Sequence, residues 1–437
     1  MKTFIRIISI LFLALWLCGC GGDLPTGAFS GADTASESTT AATAPSAETA
    51  GINNPSLLSE KRISVFRNHV NLHFVLSEDG IYCQEIRGNG CFALYCDRLS
   101  DQFVVLCGRP DCLHQDHNCD AFIHHFPSPM GYWDGKLYYF LPKDFELVTD
   151  SNGVEKYKDI PASVWQMDPD GRNKQKLMDC YEQGKEEFSG YTGVFFTHGY
   201  VELGLHHIGT HGEVASVRRY GDLRSGKLLG ETAAVRDLAS ELKNPIEGAV
   251  YDSDGDAIII MDYAFGEGGS EGMDTLYVWD PAANTLRRIG RKPANASGWF
   301  GTKEGIYLDG AVIKRWDYAA ETGTPLFDTG LEGNLILNVY PDCLVVSAGY
   351  SVFEQKAVSA TDFWFYDWNF TSLGHCRLPY EIPTPDRGSV FGETAERLLF
   401  VGKRAGTKPD YYINKSDFGK EEIPLHEYHY PEMDLPE

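Results

Sequence analysis

MGYWDGKLYYFL at residues 130–141, followed by VWQMDPDGRNKQKL at 164–177, decides the fold. In the first stretch, apolar and aromatic residues flank Asp134-Gly135, a dipeptide suited to a tight hairpin turn. In the second, an aromatic strand runs into Asp168-Pro-Asp-Gly171 and leaves as a basic strand, the layout of a second hairpin. Two hairpins make a four-stranded antiparallel unit.

The unit recurs. Its first hairpin is repeated in HFVLSEDGIYCQ around Gly80, VFFTHGYVELGL around Gly199, AVYDSDGDAIIIMDY around Gly255 and WFGTKEGIYLDG around Gly305. ILNVYPDCLVVSAGY around Asp342 and VFGETAERLLFVGK near Glu396 continue the series. Each is followed by an aromatic strand that ends near Asp or Asn: Tyr95/Asp97, Trp165/Asp168, Tyr220/Asp222, Trp279/Asp280, Trp316/Asp317, Tyr366/Asp367 and Tyr412/Asn414. Asp at the head of a turn can accept a hydrogen bond from the backbone two residues on. Gly171, Gly226, Gly323, Gly374 and Gly419 are then expected to supply positive φ.

Seven copies predict about 28 strands and an all-β fold, a β-propeller of about seven four-stranded blades, with six or eight as the alternatives. The mean spacing of about 54 residues exceeds the ~40–50 of common blade repeats, so several loops must be long. In one of them, ETAAVRDLASELK at 231–243, Val235, Leu238 and Leu242 share a helical face, which predicts a short helix. VWQMDPDGRNKQKL also resembles the repeat of TolB-like propellers. That resemblance implies a fold and no activity, because propellers host many functions.

The N-terminus reads as an export signal. Lys2 and Arg6 precede an apolar run from Ile7 to Leu17 that is too short to span a bilayer stably. It ends in Leu17-Cys18-Gly19-Cys20, which resembles the lipobox of bacterial lipoproteins and implies cleavage after Gly19 and acylation of Cys20. Cys18 follows bulky Leu17 and fits a signal peptidase less well. The expected organisation is a signal peptide at 1–19, a lipid-anchored disordered tether at 20–60 and the propeller at 61–437. The tether segment GADTASESTTAATAPSAETAG has almost no large apolar side chain with which to offset chain entropy. The chain is thus expected outside the cytoplasm, held to the bacterial cell membrane through its lipid anchor.

Formal charge is −24, and losing Lys2 and Arg6 with the leader makes it −26. Such acidity disfavours nucleic acid as a partner, since phosphate binding depends on Lys and Arg.

The most specific motif is Cys107-Gly-Arg-Pro-Asp-Cys112-Leu-His114-Gln-Asp-His117-Asn-Cys119. Three thiols and an imidazole have the number and type for a structural tetrahedral zinc site built from Cys107, Cys112, His114 and Cys119, with His117 as a rival ligand. The spacing differs from the paired C-x2-C of zinc ribbons. An exported protein can instead oxidise its thiols, and Cys83, Cys91, Cys96, Cys180, Cys343 and Cys376 lie outside the cluster. Zinc, disulfides and free thiols all remain open, and each is structural in character, because a closed four-ligand set leaves no place for substrate. The segment resembles one found in uncharacterised propeller-like surface lipoproteins of anaerobic Gram-positive bacteria. Tyr95, Asp97, Cys107, Pro110, Asp111, Cys112, His114, Cys119 and Ala121 carry that resemblance, which implies no ligand.

Weaker signals read more plainly. Asp252-Ser-Asp254-Gly-Asp256 gathers carboxylates, but Tyr263 stands where an EF-hand needs Glu, so a hairpin turn is favoured over calcium. His206, His207 and His211, read as a loop, and His124 with His125 define no metal geometry. Gly268-Gly-Ser270-Glu-Gly272 matches the nucleophile-elbow pattern without its strand-to-helix context. HEYH at 426–429 is not a zincin motif. Aromatic residues are expected mainly between blades, leaving loop members such as Trp299 and Tyr350 free to stack on a ligand. No catalytic set is recognisable. The leading reading is a non-catalytic lipoprotein whose propeller binds a glycan, peptide or protein at one face of its channel. The alternatives are a glycan-active lyase or hydrolase with its acids in loops, and a structural component of an envelope complex.

Overall fold

The computed structural model describes residues 74–431 apart from 182–189, 230–248, 263–271, 349–361, 380–389, 402–408 and some shorter segments. The export segment, Cys20, the tether and the 231–243 helix lie outside the described residues. No helix among the described residues is long and apolar enough to cross a membrane.

Seven successive antiparallel sheets follow the seven sequence units. Blade 1 is Phe74–Leu76, Gly80–Arg87, Gly90–Asp97 and an outer strand in two pieces, Val104–Val105 and Phe122–Ile123. Blade 2 is Met130–Trp133, Lys136–Leu141, Ser163–Met167 and Gln175–Asp179; a two-stranded hairpin, Asp144–Thr149 with Glu155–Ile160, is inserted at its middle. Blade 3 is Gly190–Thr197, Tyr200–Ile208, Val214–Asp222 and Lys227–Leu229. Blade 4 is Ala249–Asp254, Ala257–Asp262, Met273–Asp280 and Thr285–Pro293. Blade 5 is Gly298–Phe300, Gly305–Asp309, Val312–Asp317 and Thr322–Asp328. Blade 6 is Leu335–Val339, Leu344–Ala348, Asp362–Tyr366 and Ser372–Arg377. Blade 7 is Val390–Glu393, Arg397–Val401, Pro409–Asn414 and His426–Glu427.

Both faces of each sheet need cover, and neighbouring sheets supply it. Along Gly305–Asp309, Ile306 and Leu308 pack with Leu337 and Val346 of blade 6, while Tyr307 between them packs with Leu276 of blade 4. This two-sided alternation follows from the period-two geometry of a strand. Apolar seams of the same kind join blades 1 and 2, 2 and 3, and 6 and 7. A further seam joins the last blade to the first: Leu399 and Tyr412 pack with Phe74, Ile81 and Leu94. Meander sheets stacked face to face, with the last against the first, form a β-propeller.

No strand is exchanged at that closure among the described residues; polar groups fasten it. Residues 101–103 run parallel to the C-terminal segment: the Phe103 N–H donates to His429 O and the His429 N–H to Asp101 O, both at 2.8 Å. Arg397, almost fully buried, donates to Leu99 O at 3.0 Å and also to Ser100 O. Its guanidinium lies 4.0 Å from the centre of the Tyr412 ring.

The aspartates at the ends of the third strands do what their position predicts. Leu99 N–H donates to Asp97 Oδ1 at 2.9 Å, Arg224 to Asp222 at 3.0 Å, Ala319 to Asp317 at 2.8 Å and Asn369 to Asp367 at 2.8 Å. Blade 2 differs, because there Asp170 accepts from Arg172 N–H while Asp168 pairs with Lys136. Gly171, Gly226 and Gly419 have the expected positive φ. Gly323 does not, and Gly374, though at positive φ, lies within an outer strand. In those two blades the turn's left-handed residues are Glu321 and Phe370.

One buried ionic group gives the 6–7 seam a pH dependence. Lys415 pairs with Glu393 and, at 2.7 Å, with Asp342. Burial lifts the Glu393 carboxyl to about 7, against the pull of Lys415. The folded form therefore holds the proton more tightly than the unfolded chain, so this group's stabilisation is present at low pH and lost as pH rises through about 7. Glu393→Gln is expected to remove that dependence, narrowing the stability gap between pH 5 and pH 8 by up to about 3 kcal/mol. Urea unfolding of both proteins at the two pH values checks this; identical pH profiles would contradict it.

Candidate metal centre

The site grows out of the broken outer strand of blade 1. Leu94 pairs with Val105, and Phe92 pairs with Phe122. Ala93, between them, accepts from Leu106 N–H at 2.9 Å and donates to Ala121 O at 2.8 Å. Leu106 and Ala121 thus share one position of the ladder, and the chain from Cys107 to Asp120 leaves and re-enters the strand through a single gap.

That pinning places Cys107 at one foot of the loop and Cys119 close to the other. Cys107 N–H donates to Val105 O at 2.8 Å, and Phe122 N–H to Cys119 O at 3.1 Å. A turn closed by Cys112 N–H to Arg109 O at 3.3 Å brings the second thiol back over the first. His114 adopts φ +55°, a left-handed conformation that costs a side-chain-bearing residue roughly 1–2 kcal/mol and aims its ring inward. Its Nδ1 lies 3.4 Å from Cys119 Sγ.

The ligand atoms of Cys107, Cys112, His114 and Cys119 all lie within 4.8 Å of one another. Cys119 is buried and the other three are half-buried. Zn–S and Zn–N bonds of about 2.3 and 2.0 Å need the donors of three thiolates and one imidazole roughly 3.5–3.8 Å apart, so small movements would close a tetrahedron. The donors are soft, and the set can hold a metal ion. His114 is one of the converging group, whereas His117 is exposed and is not. Cys107, Cys112 and Cys119 are thiols, with no disulfide joining them, and Cys91, Cys96, Cys180, Cys343 and Cys376 are buried thiols too.

Arg109 straps the loop. Its guanidinium lies 3.5 Å from Cys112 Sγ, donates to Asn118 O and stands 3.6 Å from Asp120. Burial alone would raise the Cys107 thiol, but hydrogen bonds from the backbone at Arg109 and Asp120 and from the Arg109 side chain hold it below its ordinary value. Cys119 is pushed up to about 12 by burial and by the neighbouring sulfurs.

Blade 2 supports both feet of the loop. A Cβ on Gly171, in the Asp-Pro-Asp-Gly turn, would fall 2.4 Å from Leu106 O and 3.0 Å from Asp120 O, so only glycine lets this turn sit so close. Three residues on, Lys174 Nζ donates to Phe122 O at 2.7 Å. The sequence singled out the four converging residues but neither Gly171 nor Lys174 as their neighbours. Arg109, inside the motif, was open to reading as a local donor.

The other candidates fall away from this centre. Trp299, expected in a loop, lies on a strand and is 3% exposed, packed against blade 6, because the residue before Phe300 must face the opposite seam. Tyr350 lies outside the described residues. His206 and His207 fall within the strand Tyr200–Ile208 rather than a loop. His124, His125, His211 and residues 268–271 of the Gly268–Gly272 segment lie outside the described residues. Asp254 pairs with Ala257 in a hairpin, which fits the turn reading of the acidic triplet. His426 and Glu427 form the short outer strand of blade 7.

No family model and no curated protein matches the chain. Among solved structures it is similar to an oligogalacturonate lyase in complex with manganese, at 9% identity and a TM-score of 0.40, over 82% of this chain and 88% of that one. It is also similar to the oligogalacturonate lyase of Vibrio parahaemolyticus, at 9% identity and a TM-score of 0.33, over 63% and 73% of the two chains. At these scores the likeness carries no argument, and the propeller assignment rests on the chain's own ladders and seams.

Proposed function

We propose that this chain is a lipid-anchored extracytoplasmic propeller that acts as a binding module, not an enzyme, and that its Cys3His loop is a structural zinc clip. The convergence of four soft donors at the gap in one strand carries the zinc reading. Three thiolates and an imidazole complete a tetrahedron, so the metal would fix the loop and leave no coordination position for a reactant. The anchor rests on the lipobox-like Leu17-Cys18-Gly19-Cys20, in keeping with the lipoproteins that the cysteine segment resembles.

The test is elemental analysis of the purified chain, made without added metal, together with thiol counting under denaturing conditions. About one zinc per chain is expected, and His114→Ala should lower it. Zinc that binds the folded form alone raises stability by about 4 kcal/mol when free zinc is a thousandfold above Kd, so chelation should lower Tm. Absence of zinc, with Cys107, Cys112 and Cys119 found in disulfides by peptide mapping, would overturn the metal site. Cys20→Ala should release the protein to the soluble fraction; persistent lipid labelling of that variant would reject the anchor. Turnover of any polysaccharide in a hydrolysis and lyase panel would overturn the non-catalytic reading.

A further inference from the structure

We infer that Lys174 is the counter-charge of the metal centre, a positioning residue supplied by blade 2 to a site built entirely from blade 1. The inference rests on the zinc reading above. Lys174 begins from an unusual position: its side chain is partly buried, and among the described residues its one hydrogen bond is to the neutral carbonyl of Phe122. The ammonium sits beside the second foot of the loop, since Phe122 lies three residues past Cys119 and its N–H donates to Cys119 O. The ionisable groups it interacts with electrostatically are Cys119, Asp120, Cys107 and Cys91, and Asp120 is already paired with Arg109.

Against neutral thiols that arrangement is costly, since a half-buried ammonium loses hydration and regains one carbonyl. Against a loaded centre it is favourable. Zinc with three thiolates and a neutral imidazole carries one net negative charge, and a cation held in the low-dielectric seam beside it is attracted far more strongly than in water. Lys174 is held there by the turn whose Gly171 packs on both feet of the loop, so its place is fixed before any metal arrives. Neighbours that orient and balance a metal's ligands commonly change affinity 10- to 100-fold.

The test compares zinc affinity, by competition with a chromophoric chelator, in the full chain and in Lys174→Gln and Lys174→Arg. Glutamine keeps a donor for Phe122 O and removes the charge; arginine keeps the charge. Lys174→Gln is expected to weaken zinc binding by about tenfold or more, and Lys174→Arg to stay within about threefold of the native chain. Melting of the metal-stripped proteins separates this role from a structural one: stripped Lys174→Gln should melt at or above the stripped native chain, yet gain less from added zinc. Equal zinc affinity of Lys174→Gln and a zinc-binding native chain would overturn the role of Lys174 alone, as would a stripped variant that melts far below the stripped native chain. A native chain that takes up no zinc overturns the zinc reading and this inference with it.

Discussion

Arg397→Ala is expected to destabilise the protein by about 4 kcal/mol, the largest single-residue effect outside the metal loop. The estimate follows from what the side chain does at the closure between the last blade and the first. It donates to Leu99 O, Ser100 O and Asn414 Oδ1 while lying 4.0 Å from the centre of the Tyr412 ring and 5.8 Å from that of Tyr428. Hydrogen bonds from a charged donor contribute about 1.5–3 kcal/mol each when buried; these three are only partly buried, so together with the cation over the Tyr412 face they amount to about 4 kcal/mol. Truncation also takes a donor from the partly buried carbonyls of Leu99 and Ser100. Lys at 397 should recover less than half, because one ammonium cannot span the carbonyls that a guanidinium fork reaches. Urea unfolding measures all three proteins; a loss below about 1 kcal/mol for Arg397→Ala would show that apolar packing alone closes the ring.

Gly171→Ala is expected to cost about 3 kcal/mol and to weaken zinc retention at the same time. Part of that cost is backbone: φ is +83°, which alanine adopts only with a penalty of roughly 1–2 kcal/mol. The rest is the collision of the new Cβ with Leu106 O and Asp120 O, which pushes the turn off both feet of the metal loop. Gly135→Ala is the control, since Gly135 has φ +69° with nothing within 4 Å of its Cβ. It should cost only the backbone part and leave zinc untouched. Thermal unfolding with and without zinc distinguishes the two; equal losses would mean that the turn does not bear on the loop.

The blades were legible because every signal for them is local. Strand, hairpin turn and aspartate-led turn recur within each stretch of sequence, and the burial of both sheet faces follows from stacking. The convergence of Cys107, Cys112, His114 and Cys119 was legible for the same reason, since they lie within thirteen residues. Seam contacts could not be read in that way. Lys174 meets Phe122 across 52 residues, and Gly171 meets Leu106 across a blade boundary, so no spacing rule marks either. Trp299 was misplaced because a three-residue strand is too short to show period two. Glu321 and Phe370 replace the expected glycines because aspartate-led turns fix their left-handed residue by hydrogen bonding as much as by glycine content.

The gap in the outer strand of blade 1 makes the metal loop a cassette. Leu106 supplies the N–H and Ala121 the carbonyl that one ordinary residue would offer to Ala93, so the sheet reads the two as a single rung. Whatever lies between them can grow, shrink or be exchanged without shifting the register on either side, at an entropic cost that rises only slowly with length. A propeller is thereby able to carry a cluster of three cysteines and a histidine on its rim without redesigning a blade, and the same opening would accept a different loop.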